Sequence, residues 1–133
     1  MARRRRRQQA NIRAILEMYG ERAAEAARQS IRDNAETLAE EARSRCPVET
    51  GFYRGRQFRL NHPGRLRDSI HVEQRGHDTM LVVADAKDDS GFCYAPIVEY
   101  APYGTPFMIP AYETKKDEMI NHTKDLIRAA IVQ

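Results

Sequence analysis

Two cysteines, four histidines and a cluster of aspartates are the side chains here that could do chemistry. The chemistry would be nucleophilic attack, metal binding or calcium binding. His62, His71, His77 and His122 are scattered, and none stands at a metal-ligand spacing from another histidine or a cysteine. Cys46 and Cys93 are too few for a disulfide framework, and their surroundings read as those of reduced thiols. Cys93 as a nucleophile with a distant histidine is an enzyme reading, but nothing local supports it, and a buried cysteine is ordinarily an inert small hydrophobe. The stretch "DAKDDSG", residues 85–91, carries three aspartates, but their spacing is not that of an EF-hand loop, so it reads as a polar hairpin. Glycines occur singly, at turns, and none builds a phosphate-cradling loop. The chain therefore reads as non-enzymatic, with no catalytic residue, metal site or cofactor.

Without a reaction to run, the chain must act through its surfaces. Its 133 residues suit one domain. A hydrophobic share of 41% suffices for one core, and a charged share of 31% argues for a soluble protein. No apolar run approaches the ~18 residues of a membrane span, and no apolar stretch follows the basic N-terminus as a secretory signal requires. The net charge is +3, yet Arg3, Arg4, Arg5, Arg6 and Arg7 alone supply five positive charges, leaving −2 for the rest. Basicity sits in a tail of residues 1–8, ahead of a single domain at 9–133.

Two readings fit that tail. Like-charge repulsion keeps such a block extended and solvated, or it meets the phosphates of DNA or RNA. A second basic stretch, "FYRGRQFRLNHPG" at 52–64, sets Arg54, Arg56 and Arg59 among Phe52, Tyr53 and Phe58. Basic and aromatic residues so interleaved can bind nucleic acid by charge and stacking. More commonly the aromatics pin such a loop to the body while the arginines face water.

From about Gln9 to Arg45 there is no proline and one glycine, Gly20. Ile12, Leu16, Tyr19, Ala23, Ala27, Ile31, Ala35, Leu38 and Ala42 recur at steps of three or four, one face of a helix. The spacing predicts a helix of roughly 35 residues and ~50 Å, longer than a domain of this size is wide, so part of it must project. Alternatively, Gly20 divides it in two. "CPVETG" ends the helix. Strands are expected at 66–73, 80–84 and 92–100, the last with Pro96 at an edge or bulge. Turns are expected at 75–78 and 87–91, and a final helix from near Pro110 to Val132. The fold class is α+β: a long N-terminal helix, a small antiparallel sheet of three to five strands, and a C-terminal helix packed on it.

The segment "YAPIVEYAPYGTPFMIPAYE", residues 94–113, combines turn residues with large apolar side chains. Tyr94, Tyr100, Tyr103, Phe107 and Met108 either close the core between sheet and last helix or face another subunit, since aromatics and Met are enriched in interfaces. Glu99 within it either pairs with an arginine across a subunit boundary or caps an adjacent loop.

Taken in order, Pro47 to Gly51, Leu66 to Ile70, Tyr94 to Thr105 and Pro106 to Ala111 resemble the head–tail joining, or tail-completion, proteins of long-tailed bacteriophages and prophages. That family shows a Pro-Val-x-Thr-Gly turn, a Leu-Arg-x-Ser-Ile stretch, a Tyr-Ala-x-x-Val-Glu-Tyr/Phe-Gly-Thr segment and a Pro-Phe-x-x-Pro-Ala helix start. Here residues 52–64 separate the first two, and Ala101, Pro102 and Tyr103 are inserted before Gly104. The resemblance implies a virion structural subunit of the phage neck, made in the host cytoplasm, with no membrane association. Such subunits form a ring, often a hexamer, between the head connector or stopper protein and the tail terminator or tail-tube protein. Genome DNA threads that lumen, where the arginines at 3–7, 54, 56 and 59 could meet phosphates without base specificity. The rival reading is a small nucleic-acid-binding regulator that uses its arginine tail.

Overall fold

The computed structural model describes residues 2–48, 50–53, 56–59, 63–101 and 104–132, with side chains at 12–48, 63–101 and 104–132. The first element, helix α1, runs unbroken over Ala2–Arg45. Its 44 residues make a rod of about 66 Å. Gly20 does not divide it. The arginine run, expected to be extended, is instead the helix's first turns. Arginine is a good helix former, and lengthening a helix already nucleated is far cheaper than starting one. The rod stops where expected: Cys46 N–H still reaches the Ala42 carbonyl at 2.9 Å, and Pro47 cannot continue the pattern.

Two antiparallel hairpins follow. Strands β1 (Thr50–Tyr53) and β2 (Arg56–Arg59) pair from Thr50↔Arg59 to Tyr53↔Arg56. The basic segment is thus partly strand rather than a loop throughout. Phe and Tyr favour pleated backbone, and these stretches hold three of them. Helix α2 (Arg65–Ser69) then precedes β3 (Ile70–Arg75), which pairs with β4 (Thr79–Ala84) in the register Ile70↔Ala84 to Arg75↔Thr79. The strand expected from Leu66 therefore begins at Ile70. Leu66 and Ile70, both buried, stand four apart, which suits one helical turn leading into the strand. Gly64, at φ 82°, starts that turn in the left-handed region where glycine is favoured. The β3–β4 turn falls at residues 76–78, as expected.

Helices α3 (Ala95–Tyr100) and α4 (Met108–Val132) complete the order. A third strand was expected at 92–100, and a helix stands there instead. Ala95, Val98 and Glu99 are its buried residues, a spacing of three and four rather than two. Pro96 sits in its first turn, where proline's missing N–H costs nothing.

The fold is α+β, with two strands rather than three or more in each sheet among the described residues. Helix α1 is its spine, bearing α4 and the β3–β4 hairpin. Phe107, Leu66 and Ile70 are the large side chains of the core, with Ala39, Ala42, Cys46, Ala86, Ala95, Val98 and Ala111 around them. Small residues on α1 let the other elements approach its backbone. The two guanidinium N–H groups of Arg43 that donate to the Ile70 carbonyl, at 3.0 and 2.8 Å, tie the end of α1 to the start of β3.

Candidate interaction surfaces

The segment at 94–113 folds as a clasp between α3 and α4. Helix α4 has no acidic residue in its own first turn. Its leading N–H groups would be orphaned, and Glu99 of α3 satisfies them. One carboxylate oxygen accepts from Phe107 N at 2.7 Å and Met108 N at 2.9 Å, and the other from Ile109 N at 2.8 Å. Pro110 has no N–H to satisfy, and Ala111 N begins the helical ladder to the Phe107 carbonyl at 3.2 Å. The negative charge also meets the positive end of the helix dipole. Of the two roles considered for Glu99, capping is what its hydrogen bonds show.

Gly104 makes the clasp possible. A side chain there would begin 2.6 Å from the Val98 carbonyl oxygen and 3.0 Å from that of Ala101. The backbone instead closes tightly, with Gly104 N to Ala101 O at 2.8 Å and Thr105 N to Val98 O at 3.0 Å. Phe107 follows into the core.

These contacts sort the residues expected at a subunit boundary. Phe107 is 0% exposed and Glu99 6%, so in this chain neither presents a free surface. Met108 and Tyr94 are half-buried and pack against the core, and burial holds the Tyr94 phenol above its ordinary pKa. Tyr100, at 71%, is open to solvent. Tyr103 lies outside the described residues. Phe92, just ahead of this segment, and Ile97, Ile109 and Tyr112 within it are exposed. Arg54 and the side chains of Arg56, Arg59 and Arg3 to Arg7 lie outside the described residues.

A second apolar surface lies on α1. Ile12, Ile15, Leu16, Met18 and Tyr19 are all exposed, Leu16 by 64%. From Ala23 onward the helix is engaged by the body. A continuous helix cannot fold back, so residues 2–22 form an arm whose apolar strip its own chain does not cover. The expected stripe predicts Ile12, Leu16 and Tyr19 here. Its change from large residues to alanine at position 23 marks where packing within the chain begins.

The third surface is a groove with α1 as its floor, through Ile31, Ala35 and Leu38. Met80 and Val82 of β4 form one wall, and Tyr112, Lys116 and Ile120 of α4 the other. Its volume is about 320 Å³, against ~150 Å³ for a cavity that takes one benzene. The run 80–84 reads as a buried strand in sequence. It is only half-buried because this groove leaves one side uncovered.

The polar clusters are satisfied internally. His71 Nδ1–H donates to the Ser69 carbonyl at 2.6 Å, and Nε2–H donates to Glu73 at 2.8 Å. Both ring nitrogens face acceptors, the Ser69 carbonyl first and then Glu73, and this favours the protonated ring and raises its pKa. With Asp85 nearby these groups could surround a cation, but both ring nitrogens are already engaged by Ser69 and Glu73. His122 bonds Asp33 at 2.8 Å, which lowers the Asp33 pKa. Asp88 accepts from Ser90 N, Ser90 Oγ and Phe92 N and shapes the 87–91 turn. Burial raises the Cys46 thiol to about 12. Cys93 is half-buried, and both cysteines are free. His77 stands on the β3–β4 turn, and His62 lies outside the described residues. No described helix is long and apolar enough to cross a membrane.

The sequence pattern of a bacteriophage family, described as "Bacteriophage HK97-gp10, putative tail-component", matches residues 10–100. The chain belongs to this HK97-gp10-like family. No curated protein and no solved structure matches it. The match spans α1 from residue 10, including the apolar strip of the arm, both hairpins and α3, and stops before α4, so the partner that Glu99 caps lies beyond it. Membership gives the chain a structural role among phage tail components, in the company of other virion proteins.

Proposed function

We propose that this protein is a ring-forming subunit of the phage neck, seated between head connector and tail tube, with genome DNA passing through its lumen. The observation that carries the reading is the arm: about 30 Å of helix held off the body with Ile12, Ile15, Leu16 and Tyr19 in solvent. Exposed apolar strips on otherwise polar proteins mark sites of association. A ring needs heterologous contacts that close after a fixed rotation, and the arm and the body surfaces are different patches on one chain. The arginines at positions 3–7, at the arm's tip, point to the lumen, where contact with phosphates carries no sequence information. The basic stretch of sequence with Arg54, Arg56 and Arg59 is a second candidate for that lining.

Negative-stain imaging of the purified protein, alone and with its connector and tail-tube partners, tests this reading. Closed rings in either preparation are expected. A monomer in both, or absence of the protein from intact virions, would overturn it.

A further inference from the structure

Three candidates stand out. The His71, Glu73 and Asp85 cluster is an exposed ion-pair network. The cavity lined by Asp33, Glu118, His122 and Asp125 has its best ligand, His122, already bonded to Asp33. The arm and the groove are the strongest, because they are two uncovered apolar surfaces of one chain that cannot meet each other.

We infer that the groove between β4 and α4 receives the arm of a second copy of this chain, through Ile12, Ile15, Leu16 and Tyr19. The occupant cannot be the chain's own arm, since α1 is unbroken from the arm to the groove floor. The centres of the two surfaces lie about 19 residues apart on one rod, roughly 28 Å along it and ~100° around it. Docking arm into groove therefore repeats in one direction from copy to copy, and the two members of a pair do not return the same contact.

The fit is argued from shape, charge and size. Ile12, Ile15, Leu16 and Tyr19 follow the i, i+3, i+4, i+7 pattern of a helix laid in a groove. The floor repeats it with Ile31, Asn34, Ala35 and Leu38, and the small Ala35 lets a crossing helix come close. Charges of both signs border each surface. Arg13 and Glu17 flank the arm's strip, while Lys116 lines the groove and has Glu113 and Asp117 beside it on α4. Glu17 can meet Lys116, and Arg13 can meet Glu113 or Asp117. The strip spans residues 12–19, about 12 Å of helix, too short a contact to bury the roughly 1,200 Å² of total area found in a stable pair. One such contact is weak. A closed ring, in which every copy both gives an arm and takes one, makes it persist. The arm's tip with its five arginines runs past the groove and stays free for the lumen.

This inference rests on the ring reading for its closure but not for the contact itself. Leu16→Glu spoils the arm and Ile120→Glu spoils the groove. Both residues are exposed, so both variants should keep the wild-type circular dichroism spectrum. By sedimentation, each alone should associate at least about tenfold more weakly than wild type. Mixed together at high concentration, where one weak contact is populated, they should form one-to-one dimers and nothing larger, since one supplies a groove and the other an arm. Absence of that dimer overturns the inference. So does loss of association in Leu16→Glu but not Ile120→Glu, which would mean that arms pair with arms. A wild type that stays monomeric at the highest concentrations also overturns it. Rings unaffected by Ile120→Glu would leave the ring reading standing and remove this contact. Open chains of wild type that depend on both residues would do the reverse.

Discussion

Glu99 is the residue on which the carboxyl-terminal half of the molecule turns. Its carboxylate meets three N–H groups at 2.7 to 2.9 Å while 6% exposed. Hydrogen bonds to a charged group are worth ~1.5–3 kcal/mol. Glu99→Gln keeps the shape but loses the charge and one acceptor, so it should destabilise the monomer by about 2 kcal/mol. A thermal melt of the isolated monomer should show Tm lower by several degrees, and an unchanged Tm would refute the cap. The sequence singled out this acid but left its partner open, because the N–H groups it meets lie eight to ten residues on, across a turn that Gly104 permits. His71 was passed over because its partners, Ser69 and Glu73, are a carbonyl and a strand neighbour rather than a histidine or cysteine. Its pKa is raised, first by the Ser69 carbonyl and then by Glu73. The folded state therefore binds this proton more tightly than the unfolded chain does. The resulting stability is fully present below the unfolded value near 6.5 and is lost as pH rises through the folded value. Titration by NMR should place the His71 midpoint above 6.5, and His71→Gln should remove this small dependence, which solvent screens.

Elements were legible in the sequence where their pattern was long. Helix α1 declared itself by nine positions at steps of three and four, and the β3–β4 hairpin by alternation and a turn. Short apolar runs do not separate strand from helix, and "FCYAPIVEY" is such a run. The buried trio Ala95, Val98 and Glu99 decides for helix only once α4 stands beside it. The pairing of β1 and β2 was hidden for a related reason, because the strands are four residues each and the second begins and ends on an arginine. Gly20 was the one ambiguous point in α1, and the helix passes through it with nothing within 4 Å of where a side chain would begin. Gly20→Ala should therefore meet no obstacle and favour helix by ~1 kcal/mol. It stiffens the root of the arm. The expected result is stronger ellipticity at 222 nm and association at least as tight as wild type. Weaker association would show that the arm has to bend at Gly20 to dock.

At the scale of the whole molecule, the sequence announced surplus surface but not its position. The excess length of α1 followed from counting residues, whereas the groove required β4 and α4 to be seen standing apart on the same helix. Charge follows the same division. Residues 1–22 hold seven arginines against two glutamates, a formal +5, and the remainder carries −2. The five arginines at positions 3–7 lie beyond the apolar strip, so the proposed assembly and the proposed contact with DNA fall to successive lengths of one helix. Deleting residues 1–8 separates them. The truncated chain keeps Ile12 to Tyr19, and its sedimentation and melting should match those of the full chain. Its affinity for duplex DNA should fall, and the slope of log affinity against log salt should shrink by about 4 to 5, the value for five phosphates neutralised. Loss of both properties would mean that the arginines hold the assembly together. Loss of DNA binding from a chain that never assembled would make the arginine run the working part of a nucleic-acid-binding protein instead of the lining of a channel.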